Sequence, residues 1–244
     1  MSIATNVASH DGIAIDPLDI NPVLETYSPA QIVEWAAREF GDELLMSSSF
    51  GAESAVLIHL AWSVLPRIRV VFVDTGFLFR ETNEFAEQLR ERFDLDVRIY
   101  RPLGEGGEYL QLAGENDPDW RENVERCCAV NKNEPFDRAM RELRPRGWLR
   151  GIRRDQAVTR HERQIVEFSN RFDCHAISPL LNWTPREIHT YMKQHELPWH
   201  PLFEKGYTSI GCRPQSCTRP IQIGEHPRAG RWTGQMKTEC GLHV

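Results

Sequence analysis

The chain has 244 residues, of which 41% are hydrophobic and 26% are charged, and its formal net charge is −6. This mixture is typical of a soluble globular protein and excludes a disordered or fibrous chain. The negative charge disfavours a protein that coats duplex DNA, although it allows local basic patches, and the longest apolar stretch (residues 55–62) is too short to span a bilayer. We therefore expect neither nucleic acid nor a membrane as a partner.

The first residues, MSIATNVASHDG, lack the basic and apolar segments of a signal peptide, which predicts a cytoplasmic protein. Thiols stay mostly reduced in that compartment. The six cysteines therefore indicate metal binding or redox chemistry rather than disulfides.

The first hundred residues predict an α/β fold. Residues 1–27 show no sustained periodicity and contain several turn signals, so we expect an irregular N-terminal arm. A capping box at Ser28 predicts the start of a helix, which Gly41 is suited to end. Strand and helix patterns then alternate over residues 43–48, 52–65, 68–73, 81–93 and 97–101. This alternation is typical of a doubly wound, mostly parallel sheet.

Beyond residue 102 the pattern predicts helices at 120–130 and 135–143 and strands at 148–152, 164–168 and 173–177. A second capping box, at Thr184, opens a helix that we expect to end near His195. Prolines and glycines dominate the remainder. We expect residues 28–225 to form one α/β domain and residues 226–244 to form a mobile C-terminal tail.

A candidate phosphate-binding loop follows the first strand. Ser47, Ser48, Ser49 and Gly51 lie where that strand meets a helix, so hydroxyls, close backbone approach and unpaired helix N–H groups all favour a phosphate. The loop also lies at the carboxyl end of a strand, where open α/β sheets bind ligands. It is not a Walker A loop, because GK[ST] is absent.

Further polar residues lie on the same edge. Asp74 follows the second strand and suits either a ribose hydroxyl or a backbone turn. Two groups of arginines follow candidate strands and turns, and guanidinium groups match phosphate and sulfate geometry, although such runs are usually solvated. These arginines are Arg150, Arg153, Arg154, Arg160, Arg163, Arg228 and Arg231.

Four cysteines form two pairs, Cys127 with Cys128 and Cys212 with Cys217. Four soft thiolates suit an iron–sulfur cluster or zinc. Adjacent cysteines can hardly both reach one small tetrahedral ion without strain, which favours a cubane cluster with separate iron corners. Cys174, in an apolar strand, is expected to be a core residue.

Cys240 lies in the terminal sequence KTECGLHV. A thiol with an ordinary pKa near ~8.5 needs nearby positive charge to become a nucleophilic thiolate. Lys237 and His243 can supply that charge, whereas Glu239 opposes it. Spacing alone leaves open whether Cys240 is a reactive or an incidental residue.

These motifs together resemble the thioredoxin-dependent assimilatory sulfonucleotide reductases, which act on adenosine 5'-phosphosulfate or its 3'-phosphorylated relative. The matching segments are SSSFGAES, DTGFLFRET, ERCCAVNKNEP, IRRDQ, SIGC with CTRP, RAGRW and KTECGLH. The resemblance implies an adenine-nucleotide α-hydrolase type of Rossmann-like fold. It also implies thioredoxin as the partner, and it leaves homo-oligomer formation open.

The resemblance assigns roles to individual residues. Cys240 would be the nucleophile, accompanied by His243, and would form an S-sulfocysteine. Cys127, Cys128, Cys212 and Cys217 would hold a 4Fe-4S cluster that tunes the site. The substrate would be bound by Ser47, Ser48, Ser49, Gly51, Lys132, Arg153, Arg154, Arg228 and Arg231.

One departure affects the substrate prediction. The family's second cysteine pair is usually Cys-x-x-Cys, whereas four residues separate Cys212 from Cys217. Cluster-bearing members generally prefer the substrate without the 3'-phosphate, so retention of all four cysteines predicts adenosine 5'-phosphosulfate reduction in cysteine biosynthesis. The alternatives are 3'-phosphoadenosine 5'-phosphosulfate reduction, a tRNA-thiolating ATP pyrophosphatase and a non-catalytic nucleotide-binding redox sensor.

Overall fold

The computed structural model describes residues 15–103, 120–213 and 217–233, together with residues 237, 239, 241 and 242. Within these residues, six strands form one sheet in the order β3-β2-β1-β4-β6-β5. All neighbouring pairs are parallel except β5 and β6. The strands are β1 (Leu44–Ser47), β2 (Arg69–Val73), β3 (Asp96–Tyr100), β4 (Gly147–Leu149), β5 (Val166–Ser169) and β6 (Cys174–Ile177).

Helices flank the sheet on both faces. The described α-helices are α1 (Pro17–Leu24), α2 (Pro29–Phe40), α3 (Ser54–Val64), α4 (Arg80–Phe93), α5 (Trp120–Cys128), α6 (Glu134–Leu143) and α7 (Pro185–Gln194). A π-helical segment, Ala129–Asn133, connects α5 to α6. Both predicted capping boxes are confirmed, at Ser28 for α2 and at Thr184 for α7.

The core follows from alternation along the strands, since successive side chains point to opposite faces. Leu44 and Met46 of β1 pack into the large cluster formed with α2, α3, α4 and α7. Leu45, between them, packs with Phe136 of α6 and Trp148 of β4 on the other face. The predicted doubly wound, mostly parallel sheet is therefore confirmed.

The predicted irregular arm is wrong for residues 17–24, which form α1. Asp16 and Pro17 are not a turn: the Asp16 carboxylate accepts a hydrogen bond from Leu18 N (2.8 Å), and Pro17 occupies the first turn of the helix. Proline is tolerated there because its missing N–H would have no partner within the helix.

Two other boundaries differ from expectation. β4 ends at Leu149 rather than continuing to Ile152. The first part of the predicted tail is paired with the domain, through a bridge between Thr218 and Arg231, and Trp232 is buried against Val124.

None of the described helices is both long and apolar enough to cross a membrane.

The buried side chain of Asn21 connects α1 to the sheet by hydrogen bonds. Asn21 Nδ2 donates to the carbonyl of Val166 (2.8 Å), and Asn21 Oδ1 accepts from Val166 N (2.9 Å). The same amide also donates to the carbonyl of Pro17 (2.7 Å). Asn21 therefore pairs with the backbone of β5 as a strand residue would.

We expect Asn21→Ala to lower the free energy of unfolding by about 1–3 kcal/mol, because the N–H and carbonyl of Val166 would lose their partners. Urea denaturation followed by circular dichroism measures this change. The control is Leu18→Ala on the same helix, where the side chain is 74% exposed. An equal effect of the two substitutions would contradict the role of Asn21.

Candidate active site

A cavity of about 210 Å³ opens at the carboxyl ends of β1, β2 and β4. β1 lies between β2 and β4, so the strand order changes direction at β1. Open α/β sheets bind ligands at such a switch point. Most of the predicted substrate-binding residues line it: Ser47, Ser48, Ser49, Gly51, Lys132, Arg153, Arg228 and Arg231. The structure thus brings together loops that are far apart in sequence.

The serine loop is held in shape by its own side chains. Ser47 Oγ accepts a hydrogen bond from Trp148 Nε1 (2.8 Å), and Ser48 Oγ accepts one from Phe50 N (3.0 Å). Phe50 adopts a positive φ of 47° and is fully buried, with its ring edge-to-face against Phe72. The loop therefore turns sharply and leads into α3 beside the cavity.

The two adjacent arginines after β4 point to different places. Arg153 lines the cavity, where it pairs with Glu53 and with Asp155 (3.1 Å). Arg154 instead donates to Glu25 (2.8 Å) and to the carbonyl of Arg163. The geometry therefore does not support the prediction that Arg154 binds substrate, because its guanidinium lies on the α1 side of the domain and does not line the cavity.

The prediction that Asp74 binds substrate is also not supported by the geometry. Its carboxylate accepts from Gly76 N (3.0 Å) and from Arg101 Nε (2.9 Å), and it does not line the cavity. Asp74 therefore takes the alternative role considered for it, that of stabilising the turn after β2.

Arg231 is fixed by backbone carbonyls. It donates to the carbonyl oxygens of Cys217 (3.1 Å) and Ile210 (3.3 Å), and its guanidinium lies 4.4 Å from the centre of the Trp232 ring. A Cβ atom at Gly211 would lie 2.4 Å from Arg231 Nη2, so only glycine leaves room for this arrangement.

The four paired cysteines meet at a second, smaller cavity next to the first. Cys127, Cys128, Cys212 and Cys217 all line it, together with apolar and cationic side chains from α5 and the segment around Trp232. Lys132, Arg231 and Cys212 line both cavities. The longer Cys212–Cys217 spacing therefore does not keep either thiol away from the others.

Burial raises the pKa of Cys127, Cys128 and Cys217. It raises the pKa of Cys128 to about 11, even though Lys237 and Lys132 lower it, and raises that of Cys217 to about 12. Asn131 Nδ2 donates to Cys127 Sγ (3.4 Å), and Thr75 Oγ1 lies 3.4 Å from Cys212 Sγ.

No three His, Cys, Asp or Glu side chains among the described residues are placed to hold one metal ion. Cys174 is buried in the core as predicted.

The cavity also contains residues that the resemblance does not assign to the substrate, among them Arg160, Glu239 and Leu242. Arg160 Nε and Nη2 donate to the two carboxylate oxygens of Glu239 (2.7 and 2.8 Å). Burial raises the pKa of Glu239, but hydrogen bonds and charge from Arg160 outweigh it and hold the pKa below its usual value. The arginine group includes Arg160 and the KTECGLH motif includes Glu239, but nothing in the sequence indicates that these two residues pair. Cys240 and His243 lie outside the described residues.

A buried histidine fixes the loop that leads to Cys212. Leu202 N donates to His200 Nδ1 (3.1 Å), so Nδ1 is unprotonated and Nε2–H donates to Thr82 Oγ1 (3.1 Å). Burial lowers the pKa of His200 to about 4. Leu202 then packs with Ala52 and Ile210 beside the cavity.

Comparison with known proteins identifies the relatives of this chain. Residues 43–220 match the phosphoadenosine phosphosulfate reductase domain family. An adenosine 5'-phosphosulfate reductase from Halalkalibacterium halodurans is 38% identical, over 95% of this chain and 98% of that protein. A phosphoadenosine 5'-phosphosulfate reductase from Xylella fastidiosa is 41% identical, over 94% of this chain and 97% of that protein.

Solved structures agree with these matches. A phosphate complex of phosphoadenylyl-sulfate reductase from Candida auris has a TM-score of 0.69 and 26% identity, covering 82% of this chain and 97% of that one. FMN adenylyltransferase from Candida glabrata has a TM-score of 0.58 at 14% identity, over 86% of this chain and 77% of that one, which shows a shared fold alone.

We expect the free energy of unfolding to fall as the pH drops from about 6.5 to about 4, by up to about 3 kcal/mol from His200 alone. The unfolded state binds a proton in this window, whereas folded His200 stays neutral. His200→Asn keeps an acceptor for Leu202 N and should flatten this dependence, measured by urea denaturation at several pH values. The control His161→Asn, at an exposed histidine, should keep the wild-type dependence; an equal dependence in both variants would contradict the prediction.

Proposed function

Because this chain belongs to the phosphoadenosine phosphosulfate reductase family, we propose that it reduces adenosine 5'-phosphosulfate to sulfite and AMP, with thioredoxin as electron donor. The observation that carries the proposal is the cationic cavity at the ends of β1 and β4, next to which the residues on both sides of Cys240 are anchored. The substrate's anionic end and the nucleophile's segment would thus meet at one place.

The cavity supplies groups suited to a phosphosulfate. The serine loop and the start of α3 offer hydroxyl and backbone N–H donors, while Lys132, Arg153, Arg160, Arg228 and Arg231 offer positive charge. Fixed cationic donors stabilise negative charge that develops on the sulfonate during transfer. Arg231 is well suited to this role, because Cys217, Ile210 and Trp232 hold its guanidinium in place.

In the first step, the Cys240 thiolate attacks the sulfur atom of the substrate. A sulfur–sulfur bond forms, the bond from sulfur to the phosphate oxygen breaks, and AMP leaves with the bonding electron pair. The product is an S-sulfocysteine, a covalent intermediate that divides one difficult step into two.

In the second step, a thiolate of thioredoxin attacks Cys240 Sγ and releases sulfite. The second thioredoxin thiol then resolves the mixed disulfide, so the dithiol is oxidised to a disulfide and supplies both electrons. The segment bearing Cys240 must therefore contact a nucleotide and then a protein, and we propose that it opens between the two steps.

We further propose that Cys127, Cys128, Cys212 and Cys217 hold a 4Fe-4S cluster. They fit this group because four thiols line one small cavity, and each iron of a cluster takes a single thiolate. When bound, the cluster would tune the electrostatics of the adjoining anion cavity, with which it would share Lys132 and Arg231 as neighbours.

Retention of all four cysteines favours the substrate without a 3'-phosphate. The runner-up is 3'-phosphoadenosine 5'-phosphosulfate, since relatives of similar identity carry either name. Turnover of the two nucleotides by anaerobically prepared protein, with thioredoxin present, separates them: the proposal expects the higher kcat/KM for adenosine 5'-phosphosulfate.

We expect Cys240→Ser to abolish sulfite formation while nucleotide binding stays intact, because serine lacks the nucleophilic thiolate. Mass spectrometry of the wild type, mixed with either nucleotide without reductant, should find a sulfo group on the C-terminal peptide. Cys174→Ser is the control and should form the same adduct. A wild type that binds nucleotide but forms neither adduct nor sulfite would instead indicate a sensor.

Anaerobic purification should yield a brown protein with about four irons and four sulfides per chain. Cys217→Ser should lose most of this iron, as measured by metal analysis and visible absorption, whereas Cys174→Ser should keep it because Cys174 lies in the core away from the other thiols. A colourless wild type, or one that binds zinc, would reject the cluster.

A further inference from the structure

The carboxylate of Glu239 occupies the cationic cavity itself. Its two oxygens accept from Arg160 Nε and Nη2 at 2.7 and 2.8 Å, and Arg228 Nη2 lies 3.6 Å from one of them. Thr159 Oγ1 adds a further hydrogen bond of 3.3 Å. Glu239, Arg160 and Arg228 all line the cavity, so a side chain of the protein fills part of its anion-binding space.

This carboxylate is buried and charged. The side chains of Glu239 and Arg160 are 10% and 6% exposed, and that of Arg228 is 16% exposed. Burial alone would raise the pKa of Glu239, yet Arg160 and Arg228 keep it below its usual value, so the group is an anion at neutral pH. Two cations and one anion in this space favour binding of an anion over binding of a neutral group.

The donors of Arg160 are already engaged. Nε and Nη2 bind Glu239, and Nη1 donates to Gln156. One edge of a guanidinium forms one bidentate pair with a carboxylate, phosphate or sulfate. A substrate anion that uses this edge of Arg160 must therefore replace Glu239.

Glu239 is also joined directly to the nucleophile in sequence. On the other side of Cys240, the carbonyl of Gly241 accepts from Arg171 Nη1 (2.7 Å), and Leu242 packs against the cluster around Phe136 and Trp148. Of the two anchors that flank Cys240, only the Glu239 anchor uses the arginines of the anion cavity.

On the basis of the function proposed above, we propose that Glu239 is a positioning residue that competes with the sulfonucleotide for Arg160 and Arg228. Without substrate, the carboxylate of Glu239 neutralises these two side chains. The anionic end of the substrate displaces this carboxylate and takes its place against the two guanidinium groups. Because both anions need the same guanidinium groups, the contact of Glu239 with them weakens the affinity for substrate.

The test removes the charge of Glu239 while keeping its shape. In a Cys240→Ser background, which cannot react, calorimetric titration with adenosine 5'-phosphosulfate should give a Kd at least about fivefold lower for Glu239→Gln than for the background alone. The matched control is Glu162→Gln, which makes the same charge change at an exposed carboxylate two residues after Arg160. This variant should leave the Kd unchanged.

With Cys240 intact, Glu239→Gln should lower KM for the nucleotide without raising kcat, whereas a residue that only supported the fold would raise KM when replaced. Thermal unfolding of each variant confirms that the protein is folded. Equal or weaker binding by Glu239→Gln would overturn this inference alone. If the Cys240→Ser background bound no sulfonucleotide, the proposed function would fail, and this inference with it.

Discussion

A buried guanidinium group must have a negative partner, and the candidate site of this protein is built around that requirement. Arg150, Arg153 and Arg160, all from the segment after β4, are each no more than 5% exposed. Removing such charges from water without partners costs several kcal/mol per group. Each therefore pairs with a carboxylate from elsewhere in the chain, and the carboxylates of Glu53 and Glu239 bring the serine loop and the C-terminal segment to the same cavity.

The fold could be predicted from local sequence signals to a large extent. Alternating strands and amphipathic helices gave the doubly wound sheet, and the capping boxes at Ser28 and Thr184 gave two helix starts. Local sequence does not identify the first helix, because Asp16-Pro17 is typical of a turn, although the same pair can cap a helix and begin its first turn. Local chemistry permits both structures, and contacts with the rest of the domain, such as those of Asn21 with β5 and of Leu24 with the core, favour the helix.

The site was predicted less completely because its contacts join distant residues. On extended backbone, adjacent side chains point in opposite directions, so the pair Arg153-Arg154 does not reveal which member faces the cavity. Arg153 has extended backbone angles (φ −130°, ψ 150°) and faces it, while Arg154 reaches Glu25. Similarly, no spacing rule connects Arg160 with Glu239, 79 residues later in the chain. That the four paired cysteines meet was easier to predict, since two pairs of thiols are typical of one shared ligand set.

The contact between Asn21 and β5 has a consequence for the whole sheet. β5 is its last strand, and the outward N–H and carbonyl of Val166 would otherwise be open to another polypeptide. Open strand edges act as templates for intermolecular pairing and aggregation. By presenting a primary amide in place of a seventh strand, α1 closes this end of the sheet with one side chain and so helps to keep separate copies of the protein from associating through it.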